Sequence, residues 1–145
     1  MAIWFQDVDL SVLNAASRNT MVETIGIEYT AIGDDYLTAI MPVDRRTKQP
    51  AGLLHGGASV ALAETLGSVA SYLCVDAQQY DCVGLEINAS HLRAVREGTV
   101  QGTARPIKLG KRMHVWEIKI SDDRQRLVCV SRLTVAVVPK NNHNT

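Results

Sequence analysis

The sequence lacks the features that mark several large classes of protein. None of its apolar runs approaches the ~18 residues of a membrane-spanning helix. Its 15 basic residues balance its 15 acidic residues, so the formal net charge is zero, unlike that of a protein whose whole surface binds nucleic acid. No repeat or low-complexity stretch divides the 145 residues. We therefore expect one globular domain, with neither a nucleic acid nor a membrane as its partner.

Signals for export, disulfide bonds and metal binding are also missing. Residues 1–7 contain no basic segment followed by an apolar one, so we expect no secretory signal and a cytoplasmic location. Cys74, Cys82 and Cys129 form no C-x-x-C pair, and we expect free thiols in a reducing compartment. The histidines and cysteines show no metal-ligand spacing, so we expect no metal and no cofactor.

The hydrophobic pattern predicts an α+β fold. Apolar residues at helical spacing behind Asp9 predict a short first helix up to Ala16. This helix is followed by a predicted hairpin over residues 25–42, a loop over residues 47–52 and a long helix from Gly56 to about Val75. Four strand-like segments come next, over residues 83–92, 98–109, 113–120 and 127–138. This order favours an antiparallel sheet packed on one helix, not a doubly wound parallel sheet. We assign residues 1–138 to this domain and expect a disordered tail over 139–145.

Glu64 is the one charged side chain in the predicted helix over residues 56–75. The residues around it are mostly small or apolar, which predicts a buried helix that other backbone approaches closely. A carboxylate in such surroundings has a raised pKa and can act as a general base or a nucleophile. Ser68 lies four residues further on the same helix face, where it can orient the carboxylate or a water molecule. The alternative is that Glu64 lies on a solvated strip of the helix.

The predicted helix opens with His55, Gly56 and Gly57. Glycines at a helix start leave unpaired backbone N–H groups, and the positive end of the helix dipole, open to an incoming oxygen atom. That geometry suits an oxyanion hole, in which donors stabilise charge on a carbonyl oxygen. The alternative is that the glycines only allow a tight entry into the helix. Gln49, in the loop just upstream, is by itself an ordinary surface amide.

Basic residues are concentrated between positions 93 and 112, where Glu97 is the one opposing acid. The cluster consists of Arg93, Arg96, Arg105, Lys108, Lys111 and Arg112. A local cationic zone on a neutral protein suits a compact polyanion that carries a nucleotide. The alternative is a solvated hairpin end.

Several separated segments carry a further signal. Residues 52–59 read GLLHGGAS, Ala63 and Glu64 follow, and residues 83–88 read VGLEIN. Together with residues 13–15, 32–35 and 41–50, these segments resemble the hotdog-fold acyl-CoA thioesterases of the PaaI-like family over nearly the whole chain. The resemblance is strongest to the branch that hydrolyses 1,4-dihydroxy-2-naphthoyl-CoA in menaquinone synthesis. It implies an antiparallel sheet wrapped around one long central helix, sites at a dimer interface, and a homotetramer built as a dimer of dimers.

The resemblance also implies roles for individual residues. Glu64 would attack the thioester or activate water, and Ser68 would position the water or the carboxylate. The Gly56 N–H group, helped by His55 and Gln49, would polarise the carbonyl. Gly84 would line the acyl or pantetheine channel. The residues that would hold the CoA moiety are His91, Leu92, Arg93, Ala94, Lys108, Leu109, Gly110, Lys111, Arg112 and Met113.

Both lines of reasoning agree on the site, and we predict the hydrolysis of an acyl-CoA substrate. The resemblance implies an aromatic acyl group. A hydrophobic pocket discriminates weakly between similar acyl groups, so we expect activity on several thioesters. One alternative is a proofreading thioesterase that acts on an acyl or aryl carrier protein in siderophore synthesis. Another is a non-catalytic module on the same fold, which would bind acyl-CoA without turnover.

Overall fold

One antiparallel sheet and one long helix dominate the computed structural model, which describes residues 1–141. The elements are α1 (Leu10–Ala16), α2 (Met21–Thr24), β1 (Glu28–Ile32), β2 (Leu37–Pro42), α3 (Gly56–Leu73), β3 (Tyr80–His91), β4 (Thr99–Leu109), β5 (Met113–Ser121) and β6 (Leu127–Pro139). Within this described part the sheet has six strands in the order β1-β2-β4-β5-β6-β3, and every neighbouring pair is antiparallel. The predicted α+β architecture is confirmed.

Helix α3 packs one face against the sheet and leaves the other partly open. Its apolar side chains, such as Leu62 and Leu66, are fully buried in the core. Small residues let the helix lie close to the strands, since a Cβ atom added to Gly67 would come within 2.6 Å of Leu133 Cδ2 on β6. The opposite face is only half-buried at Glu64 and is exposed at Tyr72. The prediction of a helix buried on nearly every side is therefore wrong for a single chain.

A buried polar network joins the C-terminal half of α3 to β5. The Nε1–H group of Trp116 donates a hydrogen bond of 2.6 Å to Ser71 Oγ, and Ser71 Oγ lies 3.0 Å from His114 Nδ1. Because Ser71 Oγ accepts from Trp116, its own hydrogen is free to donate to His114 Nδ1, an arrangement that corresponds to the tautomer with the ring hydrogen on Nε2. Burial lowers the pKa of His114. The strand alternation of the sequence predicted that His114 and Trp116 share one face, and both lie on the inner face.

The ends of three predicted elements differ from the sequence interpretation. Helix α3 ends at Leu73 instead of near Val75, and β3 begins at Tyr80 instead of residue 83. The four-residue helix α2 was not predicted. In the expected tail, β6 ends at Pro139 and the Lys140 N–H group donates to the Gln79 carbonyl oxygen. Residues 142–145 lie outside the described part of the chain, so the disorder of this tail stays a prediction.

Strand β3 forms one edge of the sheet and is twelve residues long. Its pairing with β6 contains a bulge between Gly84 and Glu86, and Leu85 in that bulge is 62% exposed. Leu92, just after the strand, is also exposed. A long edge strand with unpaired backbone groups and exposed apolar side chains is a ready template for pairing with another strand.

Candidate active site

The first turn of α3 presents one free backbone donor. His55 is the N-cap residue, and its Nδ1 atom accepts a hydrogen bond of 2.8 Å from the Gly57 N–H group. The His55 carbonyl oxygen accepts from the N–H groups of Ala58 and Ser59 at 3.0 and 3.2 Å. Among the contacts of residues 1–141, the Gly56 N–H group is thus the one amide of this turn without a partner. It lies at the positive end of the helix dipole, where an oxygen with developing charge is stabilised.

The loop before α3 is held so that its polar groups face the helix start. The buried Thr47 donates from Oγ1 to the Pro42 carbonyl oxygen at 2.7 Å, and its own carbonyl oxygen accepts from the His55 N–H group at 2.8 Å. Gln49 Oε1 accepts from the Ala51 N–H group, which leaves the Gln49 NH₂ group as the free end of this amide. Sequence reasoning missed the supporting role of Thr47, because a lone threonine in a loop carries no motif.

A cavity of about 410 Å³ lies at this helix start. Its lining residues are Gln49, Leu53, Leu54, Gly56, Ser59, His91, Leu92, Arg93, Ala94 and Val128. The structure therefore brings two predicted donors, Gln49 and Gly56, together with the predicted CoA-binding segment 91–94. His91 lies directly on the helix start, since a Cβ atom added to Gly56 would be 2.9 Å from His91 Nε2. The apolar walls from Leu53, Leu54 and Val128 were not predicted.

Glu64 lies further along α3, on the side that faces the edge strand. A Cβ atom added to Gly84 on β3 would be 2.9 Å from Glu64 Oε1. Ser68 is one turn beyond Glu64, on the same half-buried face. Eight residues separate Glu64 from Gly56, which corresponds to about 12 Å along the helix axis. Within one chain, this carboxylate and the free Gly56 N–H group are too far apart to contact one carbonyl group.

The second predicted CoA-binding segment, residues 108–113, lies at the other end of the molecule. Leu109, Gly110 and Lys111 line a cavity of about 750 Å³ beyond the C-terminal end of α3, beside Cys74 and Val75. The side chains of this segment are exposed, apart from the half-buried Gly110. An 18-residue helix is about 27 Å long, so one chain does not bring this segment to the cavity that contains Gly56.

The cysteines do not take part in the site. All three are free, and burial raises the pKa of Cys74 to about 12. A thiol attacks as its thiolate, so Cys74 is a poor nucleophile at neutral pH. No helix in the described residues is long and apolar enough to cross a membrane.

The arrangement matches the needs of ester or thioester cleavage. A carbonyl oxygen at the α3 start can accept hydrogen bonds from the Gly56 N–H group and from the Gln49 amide, which polarises the carbonyl carbon. Because His55 Nδ1 accepts from Gly57, its hydrogen lies on Nε2, where it is a third donor. Cleavage also needs an oxygen nucleophile or a base, and a carboxylate can be either; Glu64 of the same chain lies about 12 Å further along the helix.

Comparisons with known proteins agree with this chemistry. Residues 51–129 match the family model described as the thioesterase superfamily. The chain is 55% identical over 136 residues to 1,4-dihydroxy-2-naphthoyl-CoA hydrolase of Escherichia coli, covering 94% of this chain and 99% of that protein. It is 56% identical over 136 residues to proofreading thioesterase EntH of Cronobacter turicensis, with 94% and 98% covered. The crystal structure of a mutant of thioesterase PA1618 from Pseudomonas aeruginosa superposes with a TM-score of 0.95 at 56% identity, covering 96% and 100% of the chains.

The predicted resemblance is thereby confirmed from three directions: the sequence family, the relatives and the fold. Each of these similarities spans more than half of the chain, and the two named relatives and the solved structure span nearly all of it. The chain belongs to the thioesterase superfamily, has the hotdog fold and is a thioester hydrolase.

Proposed function

We propose that this protein hydrolyses 1,4-dihydroxy-2-naphthoyl-CoA, or a closely similar aromatic acyl-CoA, to the free acid and CoA in the cytoplasm, as a step of menaquinone synthesis. The observation that carries the proposal is the free Gly56 N–H group at the start of α3, beside the Gln49 amide. These donors hold the thioester oxygen as negative charge develops on it. Glu64 either attacks the carbonyl carbon or removes a proton from an attacking water molecule. The C–S bond breaks, and the CoA thiolate leaves and takes up a proton. Where Glu64 itself has attacked, water then hydrolyses the acyl–Glu64 anhydride, which releases the free acid and restores the carboxylate.

Each catalytic unit combines two chains. Glu64 is about 12 Å along the helix from its own Gly56, yet it faces the edge strand β3. Two copies joined along their β3 edges by a two-fold axis place Glu64 of one chain near the helix start of the other. The unpaired edge and the exposed Leu85 and Leu92 support this interface. Two such dimers would form the homotetramer.

The same pairing unites the two CoA-binding segments. A two-fold axis makes the joined β3 strands antiparallel, so the first half of one strand lies beside the His91 end of the other. Met113 pairs with Ala136, and Ala136 pairs with Val83 in the first half of β3. Residues 108–113 of one chain therefore come close to residues 91–94 of its partner. Lys108, Lys111 and Arg112 then offer positive charge to the CoA phosphates.

Proofreading of an aryl carrier protein is the second candidate. The similarity to EntH, at 56% identity, is as high as the 55% identity to the naphthoyl-CoA hydrolase. Sequence identity therefore does not separate the two substrates. Both end in a phosphopantetheine thioester, which the same donors and the same carboxylate can cleave.

Steady-state kinetics on a panel of thioesters test the proposal. We expect kcat/KM to be highest for naphthoyl-type CoA thioesters, lower for aliphatic ones, and lower still for aryl carrier protein. A preference for the carrier protein would favour the second candidate, and turnover of none of these thioesters would overturn both.

The role of Glu64 is tested by Glu64→Gln. We expect kcat to fall by at least about 10³-fold, because the amide is neither a nucleophile nor a base, while acyl-CoA still binds. Glu117→Gln, on the outer face of the sheet, is the matched control and should keep full activity. Retained turnover by Glu64→Gln would remove Glu64 from the mechanism.

A further inference from the structure

Gly84 lies on the inner face of the sheet, where a side chain at its position would meet Glu64. It pairs with Val135, whose side chain is fully buried, so a side chain at position 84 would also face α3. An added Cβ atom would lie 2.9 Å from Glu64 Oε1, and the next neighbour, Leu133 Cδ1, would be at 3.9 Å. The space that this glycine leaves open is occupied by the carboxylate.

The backbone at position 84 does not itself require glycine. The glycines with positive φ are Gly26, Gly52 and Gly98, so Gly84 has a conformation that alanine also adopts. Glycine inside a strand destabilises it relative to alanine, and glycine there often marks a close approach by another group. The close approach at this strand position is that of Glu64.

We propose that Gly84 is a positioning residue for Glu64, an inference that rests on the proposed catalytic role of that carboxylate. The missing Cβ atom lets the carboxylate lie directly on β3, from where it reaches the reacting thioester. Glu64 Oε1 is the far end of a flexible side chain, so an alanine at position 84 would move the carboxylate without disturbing the core. Catalysis is sensitive to such a movement, since reacting groups must be held to within about 0.5 Å of their productive geometry.

The test is Gly84→Ala, measured on the thioester panel. We expect kcat to fall about 10- to 100-fold on every substrate, in line with the cost of small misplacements of catalytic groups. KM should stay within about threefold, because binding groups are untouched, and the melting temperature should be unchanged or higher. A rise in KM with kcat preserved, or a loss that depends on the acyl group, would overturn the inference and leave Gly84 as a channel residue.

A double-mutant cycle with Glu64→Asp separates positioning from a general effect on the strand. The shorter aspartate withdraws from position 84, so Gly84→Ala should lower kcat less than threefold in the Glu64→Asp background. An equal loss in both backgrounds would overturn the inference. Lys119→Ala is the control, because its exposed side chain lies on the outer face of β5, away from the proposed site; we expect kcat within about twofold of the wild type.

These outcomes are distinguishable from a failure of the proposed function. If the wild-type protein hydrolyses thioesters and Glu64→Gln does not, the catalytic role of Glu64 stands, whatever Gly84→Ala does. If Glu64→Gln retains activity, the proposed function of Glu64 fails first, and the positioning role fails with it.

Discussion

The polar groups at the two ends of α3 differ in whether they have hydrogen-bond partners within the chain. At the N-terminal end, the Gly56 N–H group and the Gln49 NH₂ group face a cavity without a partner among the described residues. At the C-terminal end, Ser71 is fully buried and hydrogen-bonded to both Trp116 and His114. The donors at the open end are only half-buried, so they are accessible to water and, under the proposed function, to a substrate oxygen. The polar groups at the closed end hold the helix on the sheet.

The largest effect that we expect is on catalysis, from a substitution at the open, N-terminal end of α3. Gln49→Ala removes one donor to the thioester oxygen, and kcat should fall by about 10²-fold, the usual cost of losing one oxyanion-hole donor. Stopped-flow or steady-state release of free thiol measures this change. Gln101→Ala, an exposed amide on β4, serves as control. A value of kcat within twofold of the wild type would show that Gln49 does not contact the reacting carbonyl.

The next effect is on stability at the closed end. Ser71→Ala leaves the Trp116 N–H group and His114 Nδ1 without partners, so the free energy of unfolding should fall by about 1–3 kcal/mol, while kcat changes little. Chemical denaturation and kinetics on the same sample measure both quantities. Ser121→Ala, at the end of β5, should cost less than about 0.5 kcal/mol. A large loss of kcat in a folded Ser71→Ala variant would contradict the expectation that the C-terminal end of α3 contributes to stability and not to catalysis.

The smallest effect is a pH dependence of stability from His114. Burial lowers the pKa of His114 below its ordinary value, which is about 6.5, so the unfolded chain takes up the proton first as the pH falls. The contribution is fully present above pH ~6.5 and is lost as the pH falls from there through the folded-state pKa. Protonation also places a hydrogen on Nδ1, where Ser71 donates.

Urea denaturation between pH 8 and pH 5 measures this effect. The titration of one group changes the free energy of unfolding by at most about 1.4 kcal/mol per pH unit. The decrease should be smaller in His114→Asn, which lacks the titrating ring. An equal decrease in both proteins would assign the pH dependence to other groups.

Most of the fold could be predicted from the sequence, because a helix or strand that is buried on one side has a periodic pattern of apolar residues. The small-residue pattern identified α3 from Gly56. Alternation in β5 predicted that His114 and Trp116 share one face, and the structure shows that this is the inner face. Helix α2 was not predicted, because four residues are too few to show a helical period. The early start of β3 at Tyr80 follows from its pairing with β6, which is a contact distant in sequence.

The candidate site was predictable in its residues but not in its distances. His55, Gly56 and Glu64 stand out in the sequence, and the predicted helix already places Glu64 about two turns after Gly56. The approach of Glu64 to Gly84 on β3 is visible only in the folded chain. Ser71 reaches partners 43 and 45 positions away, which only the folded chain reveals. The segments 91–94 and 108–113 line cavities at opposite ends of the chain, a separation that the sequence does not show.

The close fit of α3 on the sheet limits where this protein tolerates change. A methyl group added at Gly67 would have to displace the Leu133 side chain. We therefore expect most substitutions at this contact between α3 and the sheet to destabilise the protein. The outward face of the same helix, with the half-buried Val60, Ala61 and Thr65, does not pack against the sheet. Substitutions on this face should therefore be tolerated more often than substitutions at the contact between α3 and the sheet.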